Sequence, residues 1–229
     1  FLVRDQPAGA PPAAARRGES LGASLAGVWQ VLRDREFQRV GIMGSCFSAP
    51  FTAIGGLWAG PYLTEVYNLG QTEASYALLA MMLAFNLGTV AYGPLDRWFN
   101  TRKYVVLGGV VVMVLLLLAL AVMIEVNPWL SIVLLVAFSF ATPMYPVLMA
   151  HCRGFVPAAR AGRAITTVTM VGLGGVFAMQ FGTGAVMDLL REGYGWPVAE
   201  TYRVVFLMVA LALLVAGSFY APVRDIKPN

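Results

Sequence analysis

One short stretch gathers charged side chains between long apolar segments. Within Gly93–Lys103, a single acid, Asp96, is accompanied by Arg97, Arg102 and Lys103. A carboxylate this close to three cations can form an ion pair, and at a helix end it can also face the positive N-terminus of a neighbouring helix. The stretch therefore offers an electrostatic contact between helix ends.

The elements that position this stretch are long runs without any charged residue. A helix needs about 20 apolar residues to cross a bilayer, and an acid or base at mid-membrane costs about 2.5–3.5 kcal/mol. Six uncharged runs follow one another along the chain: Val40–Thr64, Ala74–Leu95, Tyr104–Ile124, Val126–Ala150, Ala164–Met187 and Val204–Val223. The sequence therefore predicts an all-α membrane protein in which six transmembrane helices form a bundle.

Composition excludes several other classes of protein. The 229 residues are 59% hydrophobic and 12% charged, with a mean hydropathy of +0.70, whereas soluble domains carry about 25% charged residues. The net charge of +4 does not indicate nucleic-acid binding, because the bases lie in short clusters between apolar runs. Cys46 and Cys152 fall in or beside apolar runs without metal or redox spacing, so we expect buried thiols, no metal and no cofactor.

The lysines and arginines predict the orientation in the membrane. When the segments outside the six runs are assigned alternately to two sides, all sixteen bases except Arg191 and Arg203 fall on one side. Positive residues are retained in the cytoplasm. We therefore expect both ends of this chain to be cytoplasmic.

The N-terminal residues predict a separate unit. Pro7, Pro11 and Pro12 indicate a linker, and Ser20 can cap an amphipathic helix that runs to about Phe37 and lies on the headgroups or packs on other protein. This gives a linker unit over residues 1–38, a transmembrane domain over 39–223 and a cytoplasmic tail over 224–229. Because the chain starts without Met, we interpret it as a fragment that opens on the last turn of an earlier helix.

The six runs differ from one another with a period of three. The first and fourth contain hydroxyl side chains and internal prolines, Pro50 in one and Pro143 and Pro146 in the other. The second and fifth each hold one amide, Asn86 and Gln180, and the third and sixth are almost purely aliphatic and should face lipid. Two such triplets predict a 3+3 inverted repeat.

Two motifs carry a resemblance to a known family. The first motif resembles the cytoplasmic loop motif of the major facilitator superfamily: Gly93-Pro-Leu-Asp96-Arg97, followed by Arg102-Lys103. The spacing between its glycine and its aspartate is shorter than is usual in that family. A second segment is similar to the loop and helix near the end of bacterial members of this family. It runs from Pro157 to Ala164 and continues to Gly174-Gly175, Gln180 and Gly184. The resemblance implies helices seven to twelve of a twelve-helix transporter in a bacterial inner membrane, with an N-terminal half as partner.

The resemblance also implies two groups of functional residues. A cytoplasmic gate would comprise Gly93, Asp96, Arg97, Arg102, Lys103, Arg160 and Arg163. The alternative for this group is a simple topology anchor. A central cavity would be lined by Ser48, Thr52, Asn86, Thr142, Tyr145, Thr169 and Gln180. The two amides need partners, which are either neighbouring helices or water and solute.

The function that follows is secondary transport of a small solute by alternating access. His151 could relay protons or serve an interfacial role at the cytoplasmic end of the fourth helix, and no carboxylate lies at mid-depth. The alternative is a non-transporting helical scaffold or receptor. A membrane enzyme is less favoured, because no catalytic constellation occurs at one depth. The cargo, direction and coupling ion stay open.

Overall fold

The computed structural model describes residues 35–156 and 161–228, and these residues are helical with short connections and no strand. Within these two ranges six helices are long and apolar enough to span a membrane, as the sequence predicts. They are α1 (Arg35–Tyr67), α2 (Gln71–Trp98), α3 (Lys103–Val122), α4 (Pro128–Arg153), α5 (Ala161–Gly193) and α6 (Val198–Tyr220). At about 1.5 Å per residue, even the shortest reaches across the hydrocarbon core.

Two of the six helices are interrupted where the prolines predict it. In α1, an α-helix ends at Ser45, the chain is non-helical through Ser48, and a second α-helix begins just before Pro50. Further along α1, Ile54–Trp58 forms a π-helical turn. In α4, helical segments Pro128–Ala141 and Tyr145–Arg153 are separated at Pro143. Proline lacks the backbone N–H that would continue the hydrogen-bonded ladder.

The helices pack most extensively as three pairs: α1 with α5, α2 with α4, and α3 with α6. Glycines permit the close approach in two of these pairs. A Cβ on Gly175 would lie 2.0 Å from the Ser45 carbonyl oxygen, and one on Gly88 would lie 2.2 Å from that of Phe140. Small residues let membrane helices approach to backbone distance, so these glycines set the pairing.

The aliphatic helices α3 and α6 use one face for packing and leave the other exposed. Val110 and Leu117 of α3 and Leu213 of α6 are buried, whereas Leu115 and Leu211 are exposed. The expectation that these two helices face lipid thus applies to their outer faces only. Helices α2 and α5 have the smallest buried share among the six.

Two predicted boundaries differ in the structure. Residues 35–38, predicted as part of the linker unit, are helical and continuous with the first membrane helix in the described part of α1, and the rest of the predicted amphipathic helix lies outside the described residues. The connection between α2 and α3 is also shorter than the charged stretch 93–103. Gly93–Trp98 continues α2 despite Pro94, and only 99–102 connect it to α3. A membrane helix tolerates one internal proline where neighbours compensate for the lost bond.

Candidate functional site

The interruption of α1 places a small polar group halfway along the bundle. Ser48 and Thr52 are half-buried, and the Thr52 hydroxyl donates to the carbonyl oxygens of Ser48 and Ala49 at 3.1 Å. The Gln180 side chain of α5 donates to the Thr52 carbonyl oxygen at 3.2 Å. In this structure the Gln180 amide thus bonds a neighbouring helix, which is one of the two kinds of partner expected for it.

Aromatic rings extend this polar group toward α2 and α4. The Phe47 and Tyr145 rings lie 4.8 Å apart, centre to centre, and those of Phe51 and Phe85 stack at 4.2 Å. Both distances suit favourable ring contacts. Phe47, Phe51 and Phe85 are absent from the sequence-based prediction, although the i, i+4 spacing of the first two beside Ser48 and Thr52 could have indicated them. We call Phe47, Ser48, Phe51, Thr52, Phe85, Tyr145 and Gln180 the central face.

The other three predicted cavity residues differ in their exposure and hydrogen bonds. Thr142 is fully buried, and its hydroxyl donates to the Phe138 carbonyl oxygen at 2.7 Å. Asn86 is exposed on α2 and donates to the Met82 carbonyl oxygen at 2.8 Å. Thr169 is half-buried on α5. Because the Thr142 hydroxyl has no open surface, we leave it out of the central face.

The charged stretch forms a compact turn between α2 and α3, at what we call the basic end of the bundle. Asp96 is buried, and its Oδ2 accepts from Arg102 Nε at 3.3 Å. Arg97 is exposed, and Asn100 takes a left-handed conformation with φ 50° that allows the tight turn. The ion pair thus holds the two ends of one turn together. Of the remaining predicted gate residues, Arg160 lies outside the described residues.

The chain's C-terminal residues fold against this turn. Asp225 Oδ2 accepts from the Thr101 hydroxyl at 2.6 Å, and Oδ1 accepts from the backbone N–H groups of Arg102 and Lys103 at 3.2 and 3.1 Å. Burial raises the pKa of Asp225, but these hydrogen bonds and the nearby His151 hold it below its usual value overall. A carboxylate here satisfies N–H groups that α3 itself leaves unpaired. The sequence predicts only a cytoplasmic tail here, and no local pattern indicates this cap.

His151 joins the same C-terminal residues to α4. Its ring is fully buried, with Nδ1 2.5 Å from the Tyr220 hydroxyl and Nε2 2.9 Å from the Arg224 carbonyl oxygen. The Ile226 backbone N–H also lies 3.3 Å from Nε2. The imidazole therefore connects the end of α4 to the end of α6. This position at a helix end favours the interfacial interpretation over a proton relay.

The opposite end of the bundle contains a second polar cluster. Glu65 of α1 forms an ion pair with Arg191 of α5, and it accepts from the Tyr202 hydroxyl of α6 at 2.9 Å. Tyr62 and the Ser131 hydroxyl of α4 lie 3.0 Å apart. These contacts fix the far end of α1 to three helices.

These features define a class of protein: a multi-pass helical membrane protein in which interrupted helices carry polar groups at mid-depth, as in membrane transporters. No cluster of potential metal ligands occurs among residues 35–156 and 161–228. The sequence matches the family model of the Major Facilitator Superfamily over residues 10–229. The chain therefore belongs to this superfamily of membrane transporters. No curated protein matches the chain.

Proposed function

We propose that this chain is the C-terminal half of a secondary transporter that moves a small solute by alternating access. The observation that carries the proposal is the central face, where the interrupted helices α1 and α4 meet through Phe47 and Tyr145. Interrupted helices in transporters present polar groups to the solute and absorb changes of backbone angle. An N-terminal half would complete the cavity.

The chemistry of the central face supports a solute with a flat or apolar body and a few hydrogen-bonding groups. The rings of Phe47, Phe51 and Tyr145 offer stacking surfaces. Among the described residues the Thr52 hydroxyl bonds only to its own helix backbone, so it can turn to a solute at little cost. We propose Gln180 as the group that exchanges its bond to α1 for one to the solute.

We also propose the orientation of the bundle. The basic end, with Arg97, Arg102 and Lys103, would face the cytoplasm, and both ends of this chain would lie there. The membrane would be a bacterial inner membrane. The Asp96–Arg102 pair stabilises one turn, and its role as a gate stays a prediction beside the simpler role of an anchor.

The test is transport by the full-length protein in proteoliposomes, first with a panel of sugars, organic acids and amphipathic drugs. With the solute so found, Tyr145→Leu should raise KM about fivefold, since one ring contact is worth about 1 kcal/mol. Gln180→Leu should raise it by a similar factor. Exposed Tyr194 and Gln71 provide matched controls as Tyr194→Leu and Gln71→Leu, which should leave KM unchanged.

Two results would contradict the proposal. Unchanged KM in both Tyr145→Leu and Gln180→Leu would remove the central face as the solute site. Solute binding without any flux across the membrane would instead favour the alternative function, a non-transporting receptor or scaffold.

A further inference from the structure

An apolar groove lies on the outside of the bundle, between α2, α3 and α4 at the basic end. Its volume is approximately 460 Å³. The walls are formed mainly by Ala91, Leu95, Gly108, Val112 and Phe140. We call it the basic-end groove. It lies apart from the central face, whose seven residues do not line it.

The floor of the groove is set by a hydrogen bond between helices. The Tyr92 hydroxyl donates to the Ala141 carbonyl oxygen at 2.8 Å, at the point where α4 is interrupted. A Cβ on Gly109 would lie 2.4 Å from that hydroxyl oxygen, so glycine there admits the Tyr92 ring. Gly108, one residue earlier, has no atom within 4 Å of its Cβ position, and its missing side chain leaves the groove open.

The mouth of the groove is aromatic and basic. Phe99 and Tyr104 line it, and the Lys103 ammonium lies 5.3 Å from the centre of the Tyr104 ring. Arg97 is exposed in the same turn. Within the described residues neither cation forms an ion pair with a carboxylate, whereas Arg102 is held by Asp96. Through its contact with Tyr104, Lys103 therefore lies beside the opening, and Arg97 is exposed one turn away in the chain.

The surface that continues from the groove faces the bilayer. Along α3, Gly108 and Val112 are followed on the same face by exposed Leu115 and Val122. A cavity with apolar walls does not hold water stably, so hydrocarbon is its natural content in a membrane. A free phosphate or a soluble anion would match the cations but not the walls.

We propose that the basic-end groove binds one anionic phospholipid, with an acyl chain beside Gly108 and Val112 and the phosphate at Lys103 and Arg97. The cytoplasmic leaflet supplies such lipids, which agrees with the orientation proposed above. The Thr101 hydroxyl, at the same mouth, already donates its hydrogen bond to Asp225, so the phosphate would be bound by the two side-chain cations. The site is a lipid site of the outer surface, distinct from any solute path.

The experiment is native mass spectrometry of the delipidated full chain, titrated with phosphatidylglycerol or phosphatidylcholine that carry identical acyl chains. The wild-type protein should bind one phosphatidylglycerol about thirtyfold more tightly than phosphatidylcholine, as expected for two basic side chains at a lipid phosphate. The double variant Arg97→Gln/Lys103→Gln should remove this preference. Equal binding of the two lipids by the wild-type protein would overturn the proposal.

A steric pair tests the groove itself. Gly108→Trp should fill it and abolish the single tight site, whereas Val111→Trp, at an exposed position of the same helix outside the groove, should leave binding unchanged. Retention of the tight site in Gly108→Trp would overturn the proposal. If Gly108→Trp does not fold, the charge variant decides, because its two side chains lie at the surface of the turn.

Discussion

At the scale of single residues, a carboxylate from the end of the chain organises the basic end. Asp225 accepts three hydrogen bonds at the N-terminus of α3, one from a hydroxyl and two from backbone N–H groups. His151 holds the neighbouring backbone through Arg224 and Ile226. The basic end is therefore assembled from segments far apart in sequence.

Removal of the Asp225 carboxylate should destabilise the protein. We expect Asp225→Ala to cost about 1 kcal/mol, the usual value of a helix cap, seen as a lower Tm in detergent at pH 7. Because the pKa of Asp225 is lowered by folding, its stabilisation is complete above the ordinary carboxyl pKa of about 4 and is lost as the pH falls through the folded-state value. The difference in Tm should therefore shrink below about pH 4.

The control for this prediction is Asp188→Ala, which removes an exposed carboxylate at the opposite end of the bundle. It should leave Tm unchanged at pH 7. A similar loss in both variants would indicate a general charge effect and would contradict the capping role.

At the scale of elements, the sequence predicted the helices correctly where a pattern extended over a whole helix. Six uncharged runs gave six membrane helices, and Pro50 and Pro143 marked the two interruptions. Side-chain partners were harder to predict, because they depend on how helices pair. Thr142 is predicted to line the cavity because it carries a hydroxyl on an interrupted helix. In the structure that hydroxyl is buried and donates to the carbonyl oxygen one turn earlier in its own helix.

The pairing of helices explains the other omissions. Phe85 joins the central face only because α2 passes beside α1, and Asp225 caps α3 only because the C-terminal residues fold back across the basic end. Neither contact has a local sequence pattern. A run of apolar residues specifies that a helix crosses the bilayer, but not which neighbour it meets.

A glycine pair on α5 tests the packing of α1 on α5. Gly175→Ala should lower stability by about 1–3 kcal/mol, since its Cβ would meet the Ser45 carbonyl oxygen, a backbone atom that cannot turn aside. Gly174→Ala, one residue earlier, meets nothing within 4 Å and should leave Tm unchanged or slightly raised. Thermal unfolding in detergent measures both. Equal Tm values for the two variants would contradict the close approach.

At the scale of the whole molecule, the bundle is anchored at both ends and interrupted between them. Glu65 and Tyr62 hold the far end of α1 to α4, α5 and α6, and His151 and Asp225 tie α3, α4 and α6 at the basic end. The interruptions of α1 and α4 lie between these clusters. We therefore expect solute-driven changes to concentrate at mid-depth rather than at either end.

The proposed orientation is tested by a single engineered thiol. Asn100 lies in the turn between α2 and α3 and is exposed, whereas the native Cys46 and Cys152 are buried. Asn100→Cys, with both native cysteines replaced by alanine, should react with a membrane-impermeant reagent only after the cells are permeabilised. Glu125→Cys, exposed between α3 and α4, should react in intact cells. The reverse pattern would invert the orientation.

The cap formed by Asp225 has a practical consequence for handling the protein. If the chain were cut after Val223 and a fluorescent reporter or affinity tag were attached there, the protein would lose Asp225, which accepts three hydrogen bonds, and the backbone that His151 contacts. A fusion that begins after Asn229 keeps every one of those atoms. A low yield of such a shortened protein would then be explained by the loss of the cap at the N-terminus of α3.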